Sequence, residues 1–281
     1  MNPIKVTDRL ANPSPAKRAL FEQWLKGKGV AALAGWTIPR RISREFAPLS
    51  FAQQRLWFLH QLEPDSTAYN ESTAVRLSGR LDVEVLEKVF NRIIARHEVL
   101  RTRIVPVDGN SMQRIADGGT IEVPLIDLRS QAAQDRESEA RRLINETIHR
   151  SFDLSRDLML RVLLLRLSDQ EHILLLVRHH IASDGWSLGI LWQEMTTLYE
   201  AYTSDRLPEL RELPVQYADY AAWQREWLKG EVLETQLSYW RRQLDGLAAL
   251  QLFTDRPRPA IQSFRGAKQT LILSKDLSEA L

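Results

Sequence analysis

The clearest pattern in the chain lies at residues 81–100, LDVEVLEKVFNRIIARHEVL. Val85, Leu86, Val89, Phe90, Ile93 and Ile94 recur there at helical spacing, with polar residues between them. Asp82 stands at the N-cap, where its carboxylate can accept an unpaired N–H of the first turn. SFAQQRLWFLHQL at 50–62 predicts a second helix, with Phe51, Leu56, Trp57, Leu59 and Leu62 as its apolar positions. Residues 130–149 alternate in charge and read as a solvated helix. WSLGILWQEMTTLYEAY, after Gly185, predicts a helix with Leu188, Leu191, Trp192, Met195, Leu198 and Tyr199 inward, and further helices follow at about 216–229 and 231–246. Near the start, SPAKRALFEQWLKGKG has Ser14 as N-cap, Pro15 at the first helical position and glycines past the end, so a helix is expected over 14–27. Whether it serves as a linker or a docking helix is open.

Two apolar runs, MLRVLLLRL at 159–167 and HILLLVRHH at 172–180, flank Ser168-Asp169-Gln170-Glu171 and predict a buried hairpin. Shorter strands are expected at Thr73–Leu77, ending at Gly79, at 101–107 and 112–116 around Asp108-Gly109-Asn110, and at Gln269–Leu273. GWTIPRRISREFAP at 35–48 and TDRPRPAI at 254–261 are proline-containing breaks, the first read as a linker. Strands and helices are mixed without βαβ alternation, so the fold class expected is α+β. The final residues, SKDLSEAL, read as a helix capped by Ser274 and then cut off, which suggests part of a larger architecture.

Composition adds exclusions. The 281 residues are 44% hydrophobic and 26% charged, near the globular average. There is no cysteine, so neither disulfides nor thiolate metal sites exist, which fits a reducing compartment. The net charge is +2, with 38 basic against 36 acidic residues, which gives no basic nucleic-acid-binding patch. The first residues lack an apolar signal core, and no run reaches the length of a membrane span. The expected setting is cytoplasmic, with no nucleic acid and no membrane as partners.

Candidate chemistry sits where the second strand of the hairpin ends, in RHHIASDGWS at 178–187. A neutral imidazole accepts protons near pH 7. Adjacent strand side chains point to opposite faces, so His179 and His180 cannot share one task. Asp184 precedes Gly185 in a turn leading into a helix, where its carboxylate can accept backbone N–H groups or pair with an arginine. Gly185 permits a close approach that a Cβ would block. A zinc site needs three or four ligands, and the diverging histidines, with no HExxH elsewhere, argue against one. No Gly-x-Ser-x-Gly elbow, cysteine nucleophile, P-loop or GxGxxG stretch occurs. These residues therefore fit either a histidine-dependent reaction without a protein nucleophile or a polar strand end. Arg178, on a strand predicted to be buried, needs a partner and reads as a cavity-lining charge or a brace. Trp57, Trp192, Trp223, Trp227 and Trp240 lie among apolar residues at helical spacing and read as core or interface.

Four stretches in order carry a family resemblance: SFAQQRLWFL (50–59), RHEVLRT (96–102), HHIASDGWS (179–187) and YADYAAW (217–223). Together they resemble the condensation domains of nonribosomal peptide synthetases, from about Pro48 onward. The resemblance implies a chloramphenicol-acetyltransferase-like lobe, a mixed sheet with flanking helices, whose second lobe is truncated. Residues 1–47 would be a lead, helix and linker, 48–228 the N-terminal lobe, and 229–281 the crossover and truncated start of the second lobe. The implied reaction joins an aminoacyl or peptidyl thioester donor to an aminoacyl acceptor. Both would ride on the phosphopantetheine arms of donor and acceptor peptidyl carrier proteins, with a neighbouring adenylation domain and no cofactor or metal bound directly. The resemblance makes His180 the catalytic residue, as general base or by orienting the amine. Asp184 would be structural and paired with an arginine of RHEVLRT, Arg101 first and Arg96 second; His179 would be structural, and Gly185 would keep the approach open. The later motifs of the family are absent, which implies that the isolated chain is inactive. Two other functions stay in view: a non-catalytic carrier-protein-binding module, and a coenzyme A-dependent acyltransferase.

Overall fold

The computed structural model describes residues 38–257, 260 and 271–280. The helix expected over 14–27 lies outside the described residues. So do Gln269 and Thr270, and residues 271–273 form no strand.

In chain order the elements are β1 (Phe46–Pro48), α1 (Phe51–Leu62), β2 (Asn70–Ser78), α2 (Val83–Arg96), a 3-10 turn (Glu98–Arg101), β3 (Thr102–Val107), β4 (Asn110–Ile115), β5 (Leu125–Asp127), α3 (Ala133–Ile148), β6 (Leu160–Ser168), β7 (Glu171–His179), α4 (Gly185–Thr203), α5 (Tyr217–Trp227), α6 (Gly230–Gln243) and α7 (Lys275–Ala280). The main sheet has the order β2-β7-β6-β5, and a smaller one the order β1-β4-β3. All pairings are antiparallel except β5 with β6, so the architecture is α+β.

The hairpin β6–β7 carries the core. Strand alternation sends Leu160, Val162, Leu164, Leu174 and Leu176 to one face, against Val85, Leu86, Val89, Phe90, Ile93 and Ile94 of α2 and Leu191, Met195 and Leu198 of α4. Leu163, Leu165, Leu167, Ile173, Leu175 and Val177 go to the other face, against Leu56 of α1, Ala140 of α3 and the Phe152–Leu154 segment. Burial on both faces explains why these strands are continuous apolar runs rather than alternating ones. The Asp82 carboxylate accepts the Val85 N–H at 3.0 Å and caps α2 as its sequence predicts.

Three expectations need correction. Phe46–Pro48, read as linker, pairs with β4 and extends the smaller sheet. Arg41, also in that supposed linker, is pinned by ion pairs to Glu98 at 2.6 Å and Asp219 at 2.7 Å. In α1 the predicted apolar positions Phe51 and Leu62 are exposed, whereas Gln53 is buried. Gln53 closes a capping box with Ser50 and donates to the Gln113 side chain, so hydrogen bonding rather than apolar periodicity sets which face is inside. Trp240, read as core or interface, is 52% exposed on a helix that has no buried residue, so the core reading alone is excluded.

Candidate active site

β7 ends at His179, and the chain turns through His180–Ser183 before α4 begins at Gly185. The two histidines separate as strand geometry demands. His179 is 4% exposed, whereas the His180 side chain is 44% exposed. His179 Nδ1 accepts the Ile181 N–H at 3.1 Å, and its ring meets the edge of Phe152 at 5.8 Å. Burial first, then the charges of His60, His180 and Arg161, push its pKa down to about 4 from 6.5. Below pH 6.5 the unfolded chain therefore takes up a proton that the native state refuses. Stability from this group falls as pH drops from about 6.5 to about 4, by up to about 3 kcal/mol, and no further below that. His179→Asn, which keeps an acceptor near Ile181, should narrow the difference in urea-unfolding free energy between pH 7 and pH 4. An unchanged difference would mean that His179 is not its source.

His180 is held on three sides. Its N–H donates to Tyr69 O at 2.9 Å, and its ring stacks on Tyr69 with centroids 6.5 Å apart and planes at 9°. Its Nδ1 lies 2.6 Å from Glu71 Oε1. Sequence reasoning misses Glu71, which sits on β2 opposite Arg178, a position that no local motif marks.

Asp184 does not pair with an arginine among the described residues. Its Oδ1 accepts the Ser187 N–H and hydroxyl, both at 2.7 Å, as the N-cap of α4. These bonds, the hydroxyl's first, hold its carboxyl below the usual carboxylate range. Arg101 instead donates to Ala116 O, fifteen residues on. The bracing of α4 by the second motif exists, but further along the helix. Arg96 Nε is 2.9 Å and His97 Nε2 is 2.7 Å from the carboxylate oxygens of Glu194, which is buried in α4. Burial would push Glu194 up, but His97 and Arg96 outweigh it and hold it below its ordinary value. Asp184→Ala should cost about 0.5–2 kcal/mol through the lost cap, and Asp184→Asn only a few tenths, as read by thermal unfolding. Equal losses in both variants would refute the capping role. Apart from its chain neighbours and its own helix backbone, no described atom lies within 4 Å of the position a Gly185 Cβ would take, so packing among the described residues does not require glycine there.

The first, second and fourth motifs are tied together. Ser50 Oγ lies 2.9 Å from Tyr217 Oη, joining the first to the fourth. Arg41 bridges Glu98 of the second to Asp219 of the fourth, both pairs largely buried. Burial would raise the Asp219 carboxyl, but the N–H groups of Gln216 and Arg41 and the Arg41 guanidinium hold it low.

A family model described as the Condensation domain matches residues 43–281. The chain belongs to the condensation-domain family. One component of the linear gramicidin synthase of Brevibacillus parabrevis is 51% identical over 238 residues, 84% of this chain and 5% of that protein. The X-domain solved in complex with OxyB from teicoplanin biosynthesis is 32% identical with a TM-score of 0.70, covering 82% of this chain and 50% of that one. The starter condensation domain of the rhizomide synthetase RzmA is 21% identical with a TM-score of 0.66, covering 72% and 48%, and shows the shared fold. The condensation chain thus has the chloramphenicol-acetyltransferase-like lobe with a mixed sheet and flanking helices, and spans about half the length of these solved structures. No described helix is long and apolar enough to cross a membrane.

Proposed function

We propose that this condensation chain supplies the histidine wall of a site that joins two carrier-bound acyl groups through an amide bond. The observation that carries the reading is the split between the histidines: His179 is buried, while His180 is presented at the strand end with its Nδ1 edge held. In the reaction the acceptor's amine attacks the donor's thioester carbon. The N–C bond forms, the C–S bond breaks, and one proton passes from the nitrogen to the departing sulfur. His180 serves by accepting that proton or by holding the amine's N–H, and either task needs a lone pair on Nε2. The rest of the acceleration comes from holding two tethered reactants together. The substrates would arrive on phosphopantetheine arms of peptidyl carrier proteins, loaded by neighbouring adenylation domains. Asp184 supports the site by capping α4, and Glu194 anchors that helix to Arg96 and His97.

The test compares this chain alone with its fusion to the segment that follows the matched region in the 51%-identical gramicidin synthase protein. Both are given carrier proteins loaded with donor and acceptor aminoacyl groups, and dipeptidyl carrier is read by mass spectrometry. Product is expected from the fusion and not from the chain alone. A folded fusion that binds both carriers and forms none would overturn the reading. One observation favours a second reading, a recruitment module: the teicoplanin X-domain, similar in fold and 32% identical, was solved bound to another protein. That reading predicts carrier or partner binding that is unchanged in His180→Ala.

A further inference from the structure

The surroundings of His180 contain a charge arrangement that its motif does not include. Glu71 on β2 stands directly across the antiparallel pair from Arg178 on β7. One carboxylate oxygen, Oε1, lies 2.6 Å from His180 Nδ1, and the other, Oε2, lies 3.7 Å from Arg178 Nη2. Arg178 is only 4% exposed, and its Nε and Nη1, like Glu71 Oε2, are buried without a hydrogen-bond partner among the described residues. Burial pushes the Arg178 guanidinium down and Glu71 pushes it back up. A buried guanidinium this poorly hydrogen-bonded is costly unless a carboxylate stays beside it. The same carboxylate also reaches the histidine.

A carboxylate at 2.6 Å accepts, so the Nδ1 nitrogen of the imidazole must donate. The Tyr69 carbonyl and ring fix the backbone and plane of His180 from the other side. The geometry points to Glu71 as a positioning residue for His180: it selects the Nδ1–H tautomer so that Nε2 turns its lone pair to the incoming amine, and Arg178 keeps Glu71 in place. This inference rests on His180 being the acyl-transfer histidine. As the amine's proton moves to Nε2 and then to the departing sulfur, the imidazolium formed between these steps lies against the Glu71 carboxylate. Nothing else is consumed or oxidised.

The competing role for Glu71 is only to neutralise Arg178. Replacing both together, Glu71→Leu with Arg178→Met, removes carboxylate and guanidinium at similar volume and leaves no unpaired buried charge. The first readout needs no substrate. Long-range 1H–15N correlations on the 15N-labelled 281-residue chain, with His180 assigned by its loss in His180→Gln, report which ring nitrogen carries the hydrogen. Nδ1–H is expected in the wild type and mainly Nε2–H in the double variant. Nε2–H in the wild type, or Nδ1–H retained in the double variant, overturns the proposal. The second readout is kinetic, in the fusion: kcat should fall about tenfold to a hundredfold in the double variant with KM for both carriers unchanged. Glu71→Gln, which preserves the shape of the side chain, is the companion variant and should fall in the same direction. A wild-type kcat in both variants overturns the proposal. If the wild-type fusion makes no amide, the condensation reading fails on its own, and the tautomer measurement still decides the role of Glu71.

Discussion

His180→Ala in the fusion is expected to lower the rate of amide formation by about 10²–10⁴-fold, the range that a single positioned proton-transfer group contributes. The loss should fall on kcat, because in the proposed reaction His180 acts on the reacting atoms and not on the carrier surfaces. The fold should be unaffected. The side chain is 44% exposed and touches Glu71 and the ring of Tyr69, so its removal opens no core cavity. Unfolding free energy should therefore stay within about 1 kcal/mol of wild type, a surface-like change. Single-turnover assays with preloaded carriers measure the chemical step directly. A wild-type single-turnover rate would take His180 out of the mechanism. His179→Asn gives the contrast, because it alters a buried side chain.

Phe90→Ala is expected to produce the largest loss of stability, about 3–5 kcal/mol. Phe90 is fully buried between α2 and the hairpin β6–β7, where the facing leucines and valine are themselves buried and little can collapse into the void. A loss of that size is about a fifth or more of the stability of an ordinary domain. Lys88→Ala, on the exposed side of the same helix, should change stability by no more than about 0.5 kcal/mol. Urea denaturation of the two variants checks the contrast. A Phe90 loss below about 1 kcal/mol would mean that α2 does not close the core.

Much of the architecture is legible in the sequence because it is locally encoded. The α2 face, its Asp82 cap, the inward face of α4 and the β6–β7 hairpin follow from periodicity and turn residues alone. β1 and β5 leave no such mark because three residues carry no period, and they are strands only by virtue of the partner beside them. The family resemblance assigns the Asp184 contact to Arg101, and the structure gives it to Ser187. The capping rule, which favours an aspartate just before a helix, points to Ser187 from the sequence itself.

The sequence by itself determined the family, the α+β class, the identity of the candidate histidine and the opposed placement of His179 and His180. Each of these depends on residue type, order or the two-residue period of a strand. The tertiary structure alone decided what His180 touches. Glu71 and His180 are 109 residues apart, and they meet because the register of β2 against β7 places Glu71 across from Arg178 and within reach of the next turn. A shift of one residue in that register would turn Glu71 to the opposite face. The anchoring of α4 through Glu194, and of the fourth motif through Arg41, has the same origin. Such pairs are chosen by which elements pack together, and no local pattern records that choice.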